Sequence, residues 1–233
     1  MVGALQKEAS AFVGQPISAA TISIPHLAAL YGEDLYDTFE YLSLVYLEFF
    51  PFYDYRPIHS TIAAYAGNGL GLCVDYTNAT SCEEEEMHIE SLYTLAISYT
   101  HASFTASQAH VSNAYYLEET PTIEDLRLGY DARHDNPNEN FYWESVRDAL
   151  RFPIVTSPIR RNVTMVLVSG DAAEIPKFRE VLKEVVYEVI DGEPEIVDHN
   201  PAYSAARGVA ELAKRAIFTQ EKRRNESDVV LEL

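Results

Sequence analysis

The stretch from Asn162 to Arg215 limits what this chain can fold into more than any other. It reads NVTMVLVSGDAAEIPKFREVLKEVV, then a spacer, then NPAYSAARGVAELAKR. Val163 to Ser169 is a short apolar run rich in Val, which fits a buried strand. Gly170 and Asp171 follow, where the chain must turn tightly and present backbone N–H groups. Pro176 stands where a first helical turn accepts it. Phe178, Val181, Leu182, Val185 and Val186 then recur at helical spacing. Pro201 opens a second amphipathic helix with Ala205, Val209, Leu212 and Ala213 on one face. Strand, glycine turn and helix N-terminus in succession offer a resting place for an anion or nucleotide. On physics alone an ordinary buried strand–helix unit is the favoured reading of the same succession.

Composition narrows the function classes. The chain has 233 residues, enough for one large domain or two small lobes, and 47% of them are hydrophobic, enough for a core. Its formal net charge is -19, from 17 Lys+Arg against 36 Asp+Glu. No basic stripe is available to neutralise phosphates, which argues against a nucleic-acid partner and against an anionic membrane surface. The start, MVGALQKEASAFVGQ, lacks the basic flank and apolar core of a signal peptide, and no apolar run reaches the length of a membrane span. Cys73 and Cys82 are too few for a disulfide framework, so a reducing, cytoplasmic setting is expected.

Along the chain, Leu5 to Val13 reads as a short helix and Ala19 to Ile24 as a strand. Leu27 to Phe50 carries apolar residues at helical spacing and reads as one long helix; Ile58 to Ala66 reads as a second, small-residue helix. Leu70 to Asp75 reads as a strand, so the preceding GNGLG stands on the wrong side of it for a dinucleotide loop. Glu83 to Glu86 reads as a solvated turn. Tyr93 to Val111 alternates as two strands, which with Leu70 to Asp75 would form a meander. Phe141 to Arg151, with the single Trp143, reads as a helix, and Thr219 to Asp228 as a charged, disordered tail.

Leu167-Val168-Ser169-Gly170-Asp171-Ala172-Ala173-Glu174-Ile175-Pro176-Lys177 resembles the adenosine motif of the actin-like ATPase superfamily, above all that of the DnaK-type, seventy-kilodalton heat-shock chaperones. Asn200-Pro201 with Ala205-Ala206-Arg207-Gly208-Val209-Ala210 is similar to that family's Asn-Pro-x-x-Ala-Val-Ala-x-Gly-Ala helix. Ser60-Thr61-Ile62-Ala63-Ala64-Tyr65-Ala66-Gly67 resembles its Pro-Thr-Ala-Ala-Ala-Ile-Ala-Tyr-Gly helix. The resemblance implies an α/β fold with the actin-like ATPase (ribonuclease H-like) core. Residues 1–67 would be an incomplete lobe I, residues 68–218 a largely present lobe II, and residues 219–233 the tail.

It also implies a degenerate nucleotide site. Gly170, Asp171, Ala172 and Lys177 take the adenosine positions. Asp75, Thr77, Asn78 and Thr80 take the place of the family's second phosphate motif, Asp-x-Gly-Gly-Gly-Thr, with Thr77, Asn78 and Ala79 where the glycines would be. Each added Cβ obstructs the approach of backbone N–H groups to a phosphate. The first phosphate motif would precede the first residue here. The expected protein is therefore a divergent chaperone-like ATPase relative that holds ATP or ADP with Mg²⁺ weakly at most. No residue is assigned a catalytic role, and no metal site is assigned to protein side chains. The alternatives are an interaction protein that keeps the fold without the ligand, meeting a protein partner or a second copy through the incomplete lobe I, and a fragment of a longer ATPase. An unrelated hydrolase has no Gly-x-Ser-x-Gly elbow or His-Glu-x-x-His helix to rest on.

Overall fold

A computed structural model of the chain describes residues 2–25, 32–47, 58–135, 138–157 and 163–231. The fold is mixed α/β. Its centre is a five-stranded sheet of β5 (Leu92–Tyr99), β6 (Phe104–Asn113), β7 (Tyr116–Asp125), β8 (Met165–Ser169) and β9 (Glu195–Val197), in the order β7-β6-β5-β8-β9. β5, β6 and β7 form an antiparallel meander; β8 and β9 continue the sheet parallel to β5. Parallel neighbours need crossovers, and helices supply them. α5 (Glu139–Val155) lies between β7 and β8, and α6 (Pro176–Val189) between β8 and β9.

The crossover elements follow from their residues. β8 is buried at every position, as its run of Val and Leu demands. α6 starts with Pro176 at its first turn and buries Phe178, Val181, Leu182, Val185 and Val186. α5 buries Tyr142, Trp143, Val146, Ala149 and Leu150 on the same face of the sheet, against Leu95, Ile97, Tyr99, Phe104 and Val166. Arg147 and Arg151 of α5 pair with Glu184 and Glu188 of α6 at 2.5 Å each, on the outer side of that layer.

The opposite face is covered by α3 (Ser60–Gly67) and by α7 (Ser204–Leu231). Here alanines mix with larger residues: Ala63, Ala64 and Ala66 of α3, beside Ile62 and Tyr65, meet Ala96, Ala109 and Leu167 of the sheet and Leu212 of α7. The helices α3 and α7 cross at Gly67 and Gly208. A Cβ on Gly208 would lie 1.7 Å from the Ala63 carbonyl oxygen, and one on Gly67 would lie 1.8 Å from that of Ser204.

Before α3 the described chain is sparser. α1 (Val2–Val13) buries no residue. Ala19–Ala20 (β1) pairs with Val45–Tyr46 (β3), and Ser23–Ile24 (β2) with Ile58–His59 (β4), both in parallel. The long helix expected over Leu27 to Phe50 is not formed within the described part: α2 spans Gly32–Tyr41, and Ser43, at φ 53, turns the chain into β3. Residues 26–31 and 48–57 of that stretch lie outside the described residues.

Four further expectations are corrected. Leu70 to Asp75 is not a strand, because Gly69 and Gly71 both adopt positive φ (76° and 69°) and break extended pairing. The third strand of the meander is β7 instead. Glu83 to Glu86 is exposed or only partly buried, but within a helix, α4 (Ala79–Met87), rather than a turn. Thr219 to Asp228 continues α7 as helix; its Gln, Glu, Lys and Arg residues are good helix formers. Cys73 and Cys82 are joined in a disulfide. Among the described residues no helix is long and apolar enough to cross a membrane.

Candidate functional site

In open α/β sheets ligands gather at the carboxyl ends of the parallel strands, where the strand order changes direction. Here that place is the end of β5 and β8. Alternation along β5 sends Leu95, Ile97 and Tyr99 to the large-residue core, leaving Ala96 and Ser98 on the α3 side. The register sets Ser98 opposite both Ser169 of β8 and Thr105 of β6, and Ser107 opposite Thr122 of β7. A register shift in the β6–β7 pairing between Ser107 and Ala109 lets Glu119 line the same cleft as Thr122.

These side chains, closed over by Ser60 and Thr61 of the first turn of α3, line a hydroxyl-rich cleft of about 10 Å³. Glu119 is its carboxylate: Thr61 Oγ1 and Ser107 Oγ both donate to its Oε1 at 2.8 Å. Ser169 Oγ donates to the Ile97 carbonyl at 3.2 Å. The volume admits roughly one water.

Gly170 follows directly after Ser169, the last residue of β8 and part of the cleft lining. Its φ of 104° and the 2.1 Å that a Cβ would have to the Tyr99 carbonyl oxygen explain why only glycine fits. The turn faces the hairpin that joins β5 to β6, but its donors are used within the protein. Gly170 N–H donates to the Pro201 carbonyl at 3.0 Å, Ala172 N–H to that of Tyr99 at 3.1 Å, and Ala173 N–H to that of Gly170 at 3.3 Å. Ala172 is fully buried. The Asp171 carboxylate accepts from His101 N–H at 3.0 Å and so ties the hairpin to the turn. Lys177 pairs with Glu180 at 2.8 Å on the first turn of α6.

The hairpin itself is a network of short side chains. Thr100 and Ser103 share a hydroxyl–hydroxyl bond at 3.0 Å, and Thr100 Oγ1 accepts from the N–H of Ser103 at 2.9 Å. His101 Nδ1 lies 2.9 Å from Asp131 Oδ1, a contact that raises the imidazole pKa and lowers that of the carboxyl. Beneath, Tyr99 and Tyr142 share a buried hydroxyl bond at 2.8 Å, and Tyr142 donates towards the Leu128 and Gly129 carbonyls at 3.0 Å. Burial pushes the Tyr99 hydroxyl pKa far up, so it stays protonated.

Asp75, Thr77, Asn78 and Thr80 are elsewhere, and their assignment to one phosphate site with Gly170 is corrected. Gly71 accepts from Ala114 N–H at 2.8 Å, just past the end of β6 remote from the hairpin. A strand of that length spans about 30 Å, and Asp75 is too few residues from Gly71 to cover it. Thr80, close to the disulfide that returns Cys82 to Cys73, stays at the same end. Asp75, Thr77 and Asn78 have local duties there. Asp75 Oδ1 accepts from Thr77 Oγ1 at 2.6 Å and Thr77 N–H at 3.0 Å, which holds its pKa below the ordinary value. Asn78 caps α4, accepting from Ser81 N–H.

The residues brought to the Gly170 turn are instead Ser98, Thr100, His101 and Ser103, with Ser107 and Glu119 deeper in the cleft. Their signal was present in the sequence as small and hydroxyl residues at alternate positions, 94, 96 and 98, then 105, 107 and 109. Mg²⁺ in a nucleotide site is held by carboxylates and phosphate oxygens together with waters. One carboxylate already shared by two hydroxyls, in a water-sized cleft, does not fit that requirement. Among the described residues, Cys73, Cys82 and Glu86 bring three metal-ligating atoms within 4.8 Å of one another, but the two sulfurs are bonded to each other. No protein-family model matches the chain, and no curated protein matches it.

Proposed function

We propose that this chain is a divergent relative of the heat-shock-chaperone ATPases, with an actin-like ATPase core and a nucleotide site that no longer hydrolyses ATP. The sheet order supports the fold: a meander followed by two parallel strands with crossover helices is what a ribonuclease H-like core requires. The observation that carries the functional reading is the hydroxyl-lined cleft at the Gly170 turn. It stands at the strand ends where a nucleotide would rest, yet it is closed to about 10 Å³, and the backbone donors of the adjoining Gly170 turn are already spent inside the protein. ATP or ADP is therefore held weakly at most, and among the described residues the cleft offers phosphoryl transfer one carboxylate, Glu119, and little room.

The test is direct. Millimolar Mg-ATP or Mg-ADP should raise the melting temperature by little or nothing, because only a ligand that binds the folded state stabilises it. Purified chain should release no phosphate above background. Steady turnover of ATP, or a shift of several degrees at micromolar nucleotide, would refute the reading.

A second reading, an interaction protein built on the retained fold, is favoured by α1. That helix buries nothing and exposes Phe12 at 93%, Leu5 at 61% and Val13 at 52%. Concentration-dependent association abolished by Phe12→Ser would support it.

A further inference from the structure

The Cys73–Cys82 disulfide, with Cα atoms 5.0 Å apart, has two unlike ends. Cys73 is 2% exposed and lies beside Arg215 of α7: Nη1 is 3.1 Å from Sγ, and Nη2 donates to the Cys73 carbonyl at 2.9 Å. Cys82 is only partly buried and belongs to α4, which has no buried residue. The loop that carries Cys73 has further anchors. Gly71 pairs with Ala114, and Tyr76 packs edge-on against Phe218 at 5.5 Å and lies under the Arg215 and Lys214 cations. From α4 a side-chain tie reaches that loop, Glu85 Oε2 accepting from Val74 N–H at 2.7 Å.

In thiol–disulfide exchange a thiolate attacks the sulfur it can reach and expels the other, and the better-stabilised thiolate leaves faster. A guanidinium beside a sulfur stabilises its thiolate. We propose that Cys73–Cys82 is an exchange site for small uncharged thiols, with attack at Cys82 Sγ and departure of Cys73 as a thiolate against Arg215. The incoming sulfur bonds to Cys82, the Cys73–Cys82 bond breaks, and its electron pair stays on Cys73 Sγ. A second small thiolate then attacks the mixed disulfide at the small thiol's sulfur. Cys82 leaves and takes up a proton, and the two small thiols depart as their own disulfide. The protein disulfide is thereby reduced by two electrons and the small thiols are oxidised by two. Once the bond is open, α4 keeps only side-chain ties, Glu85 to Val74 and the attraction of Glu86 to Arg215, while the 71–76 loop stays docked, so Glu83–Glu86 are held less firmly. The same carboxylates repel most strongly a thiolate that carries further negative charge, which is why a thiol without other charged groups is the preferred reagent.

The experiment treats the folded full chain with 2-mercaptoethanol, quenches in acid, alkylates free thiols and maps both cysteines by peptide mass. The adduct is expected on Cys82 and the alkyl group on Cys73. Proteolysis should then begin at residues 79–88 while β5 and β6 stay protected. Arg215→Met should slow the exchange by not less than about threefold, and Arg215→Lys should recover part of the rate. An adduct on Cys73, exchange seen only at urea concentrations that unfold the chain, or an unchanged rate in a folded Arg215→Met variant would each overturn the proposal. Should Arg215→Met fail to fold, the mapping on the unaltered chain decides alone.

Discussion

On the side of the sheet that meets α5 and α6, Leu95, Ile97 and Phe104 pack against Tyr142, Leu150, Phe178 and Leu182. On the side that meets α3 and α7, Ala96 and Ala109 pack against Ala63, Ala64 and Ala66. The first side is filled by large side chains that hold the helices away from the strands. The second brings backbones together, down to the Gly67–Gly208 crossing. Large side chains gain stability from buried area, roughly 1.5–3 kcal/mol each. Small ones gain it from close approach, where nothing can be added. The difference also bears on the site: α3 meets the sheet through its alanines, and Ser60 and Thr61 of its first turn line the hydroxyl cleft of about 10 Å³.

The largest expected effect is on the first side. Phe178 is fully buried and stacks on Tyr99 with ring centroids 4.2 Å apart. Phe178→Ala should cost about 3–5 kcal/mol in urea unfolding, since the hole cannot be refilled by its neighbours. A loss below about 1 kcal/mol would mean that this layer is not the tightly filled one. On the second side the damaging change is an addition. Gly208→Ala should cost about 1–3 kcal/mol. Because the clash is with the Ala63 carbonyl oxygen and not its side chain, Ala63→Gly should not rescue it. Rescue, or a neutral Gly208→Ala, would erase the contrast between the two sides.

The two sides were unequally legible in the sequence. β8 and α6 could be read from Val163 to Val186 because their apolar periodicities are long and their turn has a glycine and a proline in the expected places. β5 and β6 were readable from alternation. The third strand was not, since Tyr116–Asp125 carries Glu118, Glu119, Pro121 and Glu124 and looks like a loop; it is an edge strand, where such residues are tolerated. The phosphate assignment to Asp75–Thr80 rests on motif resemblance alone. A pattern of outer Asp and Thr with three intervening residues is short enough to recur by chance, and only the sheet register reveals which turn faces Gly170. The cysteine pair was hidden for a similar reason: pairing depends on how the 68–78 loop and α4 fold back, which composition does not encode.

The smallest expected effect lies at the hairpin over the cleft and follows from the His101–Asp131 contact. Hydrogen bonding to Asp131 raises the His101 pKa above its ordinary 6.5, so its contribution to stability is fully present below that value and fades as the pH rises through the raised one. Asp131, lowered from 3.8 by the same contact, contributes above its ordinary value and loses that contribution as the pH falls through the depressed one. The pair therefore works best between about pH 4 and 6.5. Asp171 adds to the imidazolium's stability and Arg133 opposes it, and both side chains of the pair are well exposed, so salt should weaken the effect. His101→Asn keeps the backbone N–H that Asp171 accepts and removes the titration. The melting temperature of the unaltered chain should exceed that of the variant most near pH 5.5, by a margin that shrinks towards pH 8 and in high salt. A margin that is constant from pH 5 to 8 would mean that the hairpin is held by Asp171 and the Thr100–Ser103 network alone.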